Sequence, residues 1–177
     1  MEPEGEPRRG LAAPFLKVGA FLAGLPRPVG ALLVLSWMGL IWALSEREGH
    51  PEPPTLDVLA WIGNLAHAPL FGLLALFALG VVARPRPGSW VRPGPLSLGA
   101  VALFVLLWGV IDELHQRSTP GRSSTISDVV TDVVGALSVL WVADFLARAE
   151  PGERGLGKRL AVGLAACAAS AAWATWG

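Results

Sequence analysis

From Leu96 to Ile111 the chain runs without a charged residue, and the next six positions are Asp112-Glu113-Leu114-His115-Gln116-Arg117. An apolar run of this length must be buried whole or must cross a bilayer, where each ionised group costs about 3 kcal/mol or more. The junction therefore marks a membrane boundary. The opposition recurs: apolar segments over about residues 29–44, 56–83, 96–116, 126–146 and 160–176 alternate with charged, proline-rich connectors. Mean hydropathy of +0.51 with 53% hydrophobic residues is too apolar for a soluble domain, and 177 residues suit one unit. The expected fold is all-α, a polytopic membrane helix bundle of about five transmembrane helices.

Basic residues orient it. Arg8, Arg9, Lys17 and Arg27 lie in the N-terminal arm, Arg84, Arg86 and Arg92 in the second connector, and Arg148, Arg154, Lys158 and Arg159 in the fourth. The opposite side has only Arg47, Arg117 and Arg122. Positive residues stay inside, so the expected N-terminus is cytoplasmic, in a bacterial inner membrane, with the Asp112 motif loop extracytoplasmic. Glu2, Glu4 and Glu6 beside Arg8 and Arg9, followed by Pro14 and Lys17, disfavour a cleavable signal peptide. Leu11, Phe15, Val18, Leu22 and Leu25 recur at helical spacing, which suits either a short interfacial helix or an irregular entry segment.

The lone Cys167 excludes an intrachain disulfide and a cysteine metal cluster. No nucleic-acid face and no cofactor are expected. Gly163, Cys167 and Ala171, at four-residue spacing, suit close helix packing.

The costly groups gather at one side. On a helix Asp112 and Gln116 share a face, and Glu113 meets Arg117 at i+4. His115 lies where that helix exits. Pro120-Gly121 is a turn signal that would fold Arg122 back over the helix ends, where its planar fork could hold Asp112, Asp128 or a phosphate. Thr125-x-x-Asp128 has the form of a capping box. Asp132, one turn deeper on the same face, lies too far in for a cap and must be paired, with Arg122 or His67, or carry its proton. In the second span Asn64 and His67 share a face, and Pro69 is expected to kink the helix, with the kink pointing inward or toward a cavity. Asp144 meets Arg148 at i+4. His67, Asp112, His115 and Asp132 suit a metal by residue type, but no tight ligand spacing supports one and none is expected.

These residues together resemble a known family. Asp112-Glu113-x-x-Gln116, then Pro120-Gly121-Arg122, then Asp128 with Gly135 seven residues on, is similar to the signature of the VanZ-like membrane proteins, as is Ile41-x-x-Leu44-Ser45 in the first span. The resemblance covers about residues 29–146 and implies a four-helix core over 28–147. An arm over 1–27 precedes it, and a basic loop with a last transmembrane helix over 148–177 follows. Two departures stand out: Asn64 where many members have Lys, and Asp132 where many have Asn. The family takes its name from a protein linked to resistance to the glycopeptide teicoplanin.

The expected function is an outward-facing polar pocket binding an anionic envelope lipid or a lipid-linked cell-wall precursor, with an effect on glycopeptide susceptibility. Arg122 would meet phosphate; Asn64, His67, Asp112, Gln116, Asp128 and Asp132 would line the site. One alternative is an intramembrane enzyme acting on a phosphoester or acyl bond, with Asp112, Glu113 and His67 as candidate acid and base. Another is a structural scaffold. A proton-coupled transporter would need polar groups in the inner halves of the helices, where only Asp144 lies.

Overall fold

The computed structural model describes residues 10–46, 57–83, 93–119, 125–147 and 153–177. Six helices follow in order: α1 (Ala12–Gly24), α2 (Arg27–Ser45), α3 (Asp57–Val82), α4 (Pro95–Gln116), α5 (Ile126–Leu146) and α6 (Glu153–Trp176). Among the described residues there is no strand. Local sequence sets several helix starts: Pro28 lies in the first turn of α2 and Pro95 opens α4, since proline suits a first turn whose N–H groups lack partners. A capping box between Thr125 and Asp128 opens α5, as its spacing suggests.

Four helices, Arg27–Ser45, Val58–Val82, Pro95–Gln116 and Ile126–Leu146, are long and apolar enough to cross a membrane. The chain is a multi-pass membrane protein. Large apolar side chains such as Leu96, Leu103, Leu107 and Ile126 point outward, as a bilayer requires. The segment expected as a fifth span is also helical. α6 begins earlier than expected, and its Ala-, Gly- and Ser-rich composition leaves it less apolar than the four. It nevertheless runs along α5 and α3, from Gly155 beside Phe145 to Thr175 bonded to Asn64. The expected helix over 11–25 is present as α1. Its Ala12, Gly19, Leu22 and Ala23 are buried while Phe21 is exposed.

α3 is the hub and touches every other helix. Its core face joins Phe71, Leu74, Ala75 and Ala78 to Ile41 of α2, Val101 and Val105 of α4, and Ala136 and Leu140 of α5. The closest approach is between α3 and α5. A Cβ added to Gly135 would fall 2.6 Å from the Ala68 Cα, and one added to Gly72 would fall 2.9 Å from a Val139 methyl. Small residues at a crossing allow such backbone contact. The stripe of Gly163, Cys167 and Ala171 also faces inward in part: Ser138 of α5 meets Gly163 and Cys167, and Ala171 is fully buried.

Pro69 departs from expectation. It lies exposed, with Ala68 beside it buried against α5, and α3 continues through it as one helix. The carbonyl of Leu70, the next residue, accepts the Trp37 indole N–H at 2.8 Å. α2 thus supports α3 at this point by a polar contact.

Candidate functional site at the motif end of the bundle

Contacts place the C-terminal ends of α2 and α4 and the N-terminal halves of α3 and α5 at one end of the bundle. Ser45 meets Asp112, His67 meets Asp132, and Gly109 meets Asp132. The buried acids Asp112, Glu113, Asp128 and Asp132 all lie there.

Two polar clusters form. In the first, between α2 and α4, the Ser45 hydroxyl reaches both oxygens of Asp112 (2.7 and 2.8 Å), and Gln116 Nε2 donates to Asp112 Oδ2 (2.9 Å) and to Ser45 Oγ (3.3 Å). The pairing of Asp112 with Gln116 follows their i+4 spacing. Asp112 is 0% exposed, so these donors replace the water that a carboxylate otherwise needs.

In the second, between α3 and α5, His67 Nδ1 faces Asp132 Oδ1 at 3.0 Å, with Asp132 0% exposed and the His67 side chain 16% exposed. With Asp132 ionised, its oxygens only accept and Nδ1 carries the shared hydrogen; with Asp132 protonated, Nδ1 accepts instead. Asp132 is therefore paired, with His67, one of the two partners its sequence position suggests. Asp132 Oδ2 has no hydrogen-bond partner among the described residues.

The remaining candidates separate. Asp128 accepts from the N–H and hydroxyl of Thr125 (3.2 and 2.8 Å), the role of a helix cap. Asn64, although on the His67 side of α3, donates to Thr175 of α6 at 3.0 Å, so the two residues serve different neighbours. Glu113 is buried and engaged, and Arg117 is exposed. His115 stacks on Trp42, ring centroids 3.7 Å apart, with Glu46 at 3.8 Å from its Nε2 and accepting the Trp42 indole N–H. Arg122, Pro120-Gly121 and Arg148 lie outside the described residues. No group of three or more metal-binding side chains occurs among the described residues.

Ser45 is the participant that sequence reasoning overlooked. A serine ending an apolar helix looks like a solvated terminus, and only its place in the Ile41-x-x-Leu44-Ser45 element hints at more. A cavity of about 20 Å³ lies between α1 and α3, lined by Gly19, Leu22, Ala23, Leu76, Leu79, Gly80 and Ala83, and touches none of these polar residues.

Comparison by family adds the decisive observation: the model described as VanZ/LLP1 matches residues 29–147, more than half of the chain. The chain belongs to the VanZ/LLP1 family. No curated protein and no solved structure matches it. The VanZ/LLP1 segment contains both polar clusters, from Ser45 to Asp132, whereas α1 and nearly all of the described C-terminal part, including the Thr175 partner of Asn64, lie outside it.

Proposed function

We propose that this VanZ-family protein binds the head group of a membrane amphiphile at the motif end of the bundle, on the extracytoplasmic side of a bacterial inner membrane. The supporting observation is the concentration of buried polar groups from four spanning helices at one end, with a carboxylate oxygen of Asp132 left without a partner among the described residues. Four acids at one end repel a bare anion. They suit a ligand that combines phosphate with hydroxyl or amine donors. A lipid-linked cell-wall precursor has both and fits better than a simple anionic lipid. Arg122, three residues before Thr125 in the sequence, supplies the cation for phosphate. Sequestering such a precursor is how the protein would alter susceptibility to teicoplanin-type glycopeptides.

Native mass spectrometry of the purified protein with a polyprenyl-diphosphate glycan tests this. Retention of the glycan lipid, lost in Arg122→Ala, supports the reading, and equal retention by the variant sinks it. Absence of any retained lipid would favour a structural scaffold. Sidedness is tested separately: Ser118→Cys in a Cys167→Ala background should react with a membrane-impermeant maleimide on intact spheroplasts, and labelling only after lysis would reverse the orientation.

The His67–Asp132 pair favours one second reading, an acid-base enzyme acting on a bond of the same head group, because a carboxylate that holds Nδ1 orients the ring for proton transfer at Nε2. Turnover of labelled lipid that disappears in His67→Gln distinguishes it from binding alone.

A further inference from the structure

At the end of the bundle opposite the motif, α6 opens beside the last turn of α5, with Gly155 against Phe145. Phe145, Leu146 and Leu156 form one apolar cluster there with Ala12 of α1. Arg154 and Lys158, on either side of Leu156 in the sequence, are exposed, whereas Arg159 is half-buried and differently held. Its guanidinium carbon lies 4.1 Å from the centroid of the Phe145 ring and 5.0 Å from that of Trp141. Nη1 donates to the Gly155 carbonyl at 3.1 Å. Two aromatic faces and a carbonyl thus fix the planar fork in one orientation, without supplying an anion to neutralise it. No carboxylate pairs with Arg159 among the described side chains, and Asp144, next to Phe145, is engaged elsewhere. Nε is enclosed without a partner, so of five N–H donors one is used and the remaining Nη donors are unspent. Trp141 is 40% exposed and Leu137, one turn back along α5, is 48% exposed. The shelf under the guanidinium therefore continues as apolar surface along a spanning helix.

We infer that Arg159, held on Trp141 and Phe145, binds the phosphate of an anionic phospholipid in the leaflet that this end of the bundle faces. The free Nη donors take the phosphate oxygens as charge-assisted hydrogen bonds. An acyl chain lies along Trp141 and Leu137, surface that a soluble anion would leave unused. Lys158 and Arg154 add an attraction that favours a net negative head group over a zwitterionic one. With the motif end outward, as proposed above, the leaflet is the cytoplasmic one, whose surface is anionic. The site lies at the other end of the bundle from the polar clusters and stands independently of the head-group reading there.

Full-length protein in detergent is titrated with phosphatidylglycerol and with phosphatidylcholine, which share a phosphodiester and differ in net charge, and adducts are counted by native mass spectrometry. Wild type should prefer phosphatidylglycerol roughly tenfold, the worth of one hydrogen bond to a charged group. Arg159→Ala should abolish the preference. Arg159→Lys keeps the charge without the planar fork and should not restore it. Trp141→Leu, which removes part of the shelf, should lower the preference about two- to fivefold. Lys158→Gln and Arg154→Gln should each lower it less than Arg159→Ala does. Folding of every variant is checked by circular dichroism, and Arg159→Lys with Trp141→Leu carries the test if Arg159→Ala does not fold. Equal binding of the two lipids by wild type overturns the inference, as does a full preference in Arg159→Lys. A loss in Lys158→Gln as large as in Arg159→Ala would reduce the site to diffuse surface charge and overturns it too. Inorganic phosphate in large excess should leave the phosphatidylglycerol adduct in place; its displacement would assign Arg159 to a soluble anion instead of a lipid.

Discussion

Gly135 of α5 lies against the backbone of Ala68 of α3, so closely that an added Cβ would stand 2.6 Å from the Ala68 Cα and 2.7 Å from its carbonyl carbon. This contact sets the register in which His67, next to Ala68, meets Asp132, one helical turn before Gly135. Backbone atoms cannot move aside as a flexible side chain can. Gly135→Ala should therefore destabilise the bundle by about 1–3 kcal/mol through overpacking, read as a lower midpoint of thermal unfolding in detergent. Gly99→Ala, on α4 with nothing within 4 Å, is the matched control and should leave the midpoint unchanged or raised.

Removing one member of a buried pair strands the other. His67→Ala leaves Asp132 in a dry site with neither oxygen bonded among the described residues, and should cost about 3–5 kcal/mol. Adding Asp132→Asn should recover part of that loss, because an uncharged amide is cheaper to bury than a carboxylate. A double variant no more stable than His67→Ala would show that the pair contributes through packing alone.

The Ser45–Asp112–Gln116 cluster predicts a coupling energy. Ser45→Ala removes the donor shared by both Asp112 oxygens and should cost about 1–3 kcal/mol. In a double-mutant cycle with Asp112→Asn, the two losses should fail to add by about 0.5–3 kcal/mol. Strict additivity would mean that the hydroxyl and the carboxylate do not act on each other.

Asn64 and Thr175 join α3 to α6, outside the family segment. A single hydrogen bond between membrane helices is worth about 0.6 kcal/mol. Asn64→Ala and Thr175→Val should each lower stability by about that amount, and their combination by little more. A larger effect of Asn64→Ala alone would place Asn64 in the ligand site instead.

Much of this was legible in the sequence, for identifiable reasons. The four spans stand out because charge is excluded from hydrocarbon over a fixed length, and the capping box of Thr125 and Asp128 stands out because its partners are three residues apart. Partners distant in sequence were less accessible. Asn64 and His67 share one side of α3, yet that side meets two helices, so one bonds to α6 and the other to α5. The helical period gives a direction, and only packing supplies the neighbour. Ser45 was invisible for the same reason, since its role depends on α4 lying beside it. A kink at Pro69 pointing inward or toward a cavity was expected, but it is Ala68 that faces inward, against Gly135, and the proline ring is exposed. The clamp expected of Arg122 lies outside the described residues.

The two polar clusters share an order along the chain. Ser45 precedes Asp112 by 67 residues, and His67 precedes Asp132 by 65. Chains are made from the N-terminus, so in each pair the partner without a permanent charge leaves the ribosome first and the acid follows. When α4 and α5 carry their carboxylates into the bilayer, α2 and α3 already hold the groups that will receive them. A permuted chain that made α4 and α5 first would reach the same contacts by a steeper route into the membrane.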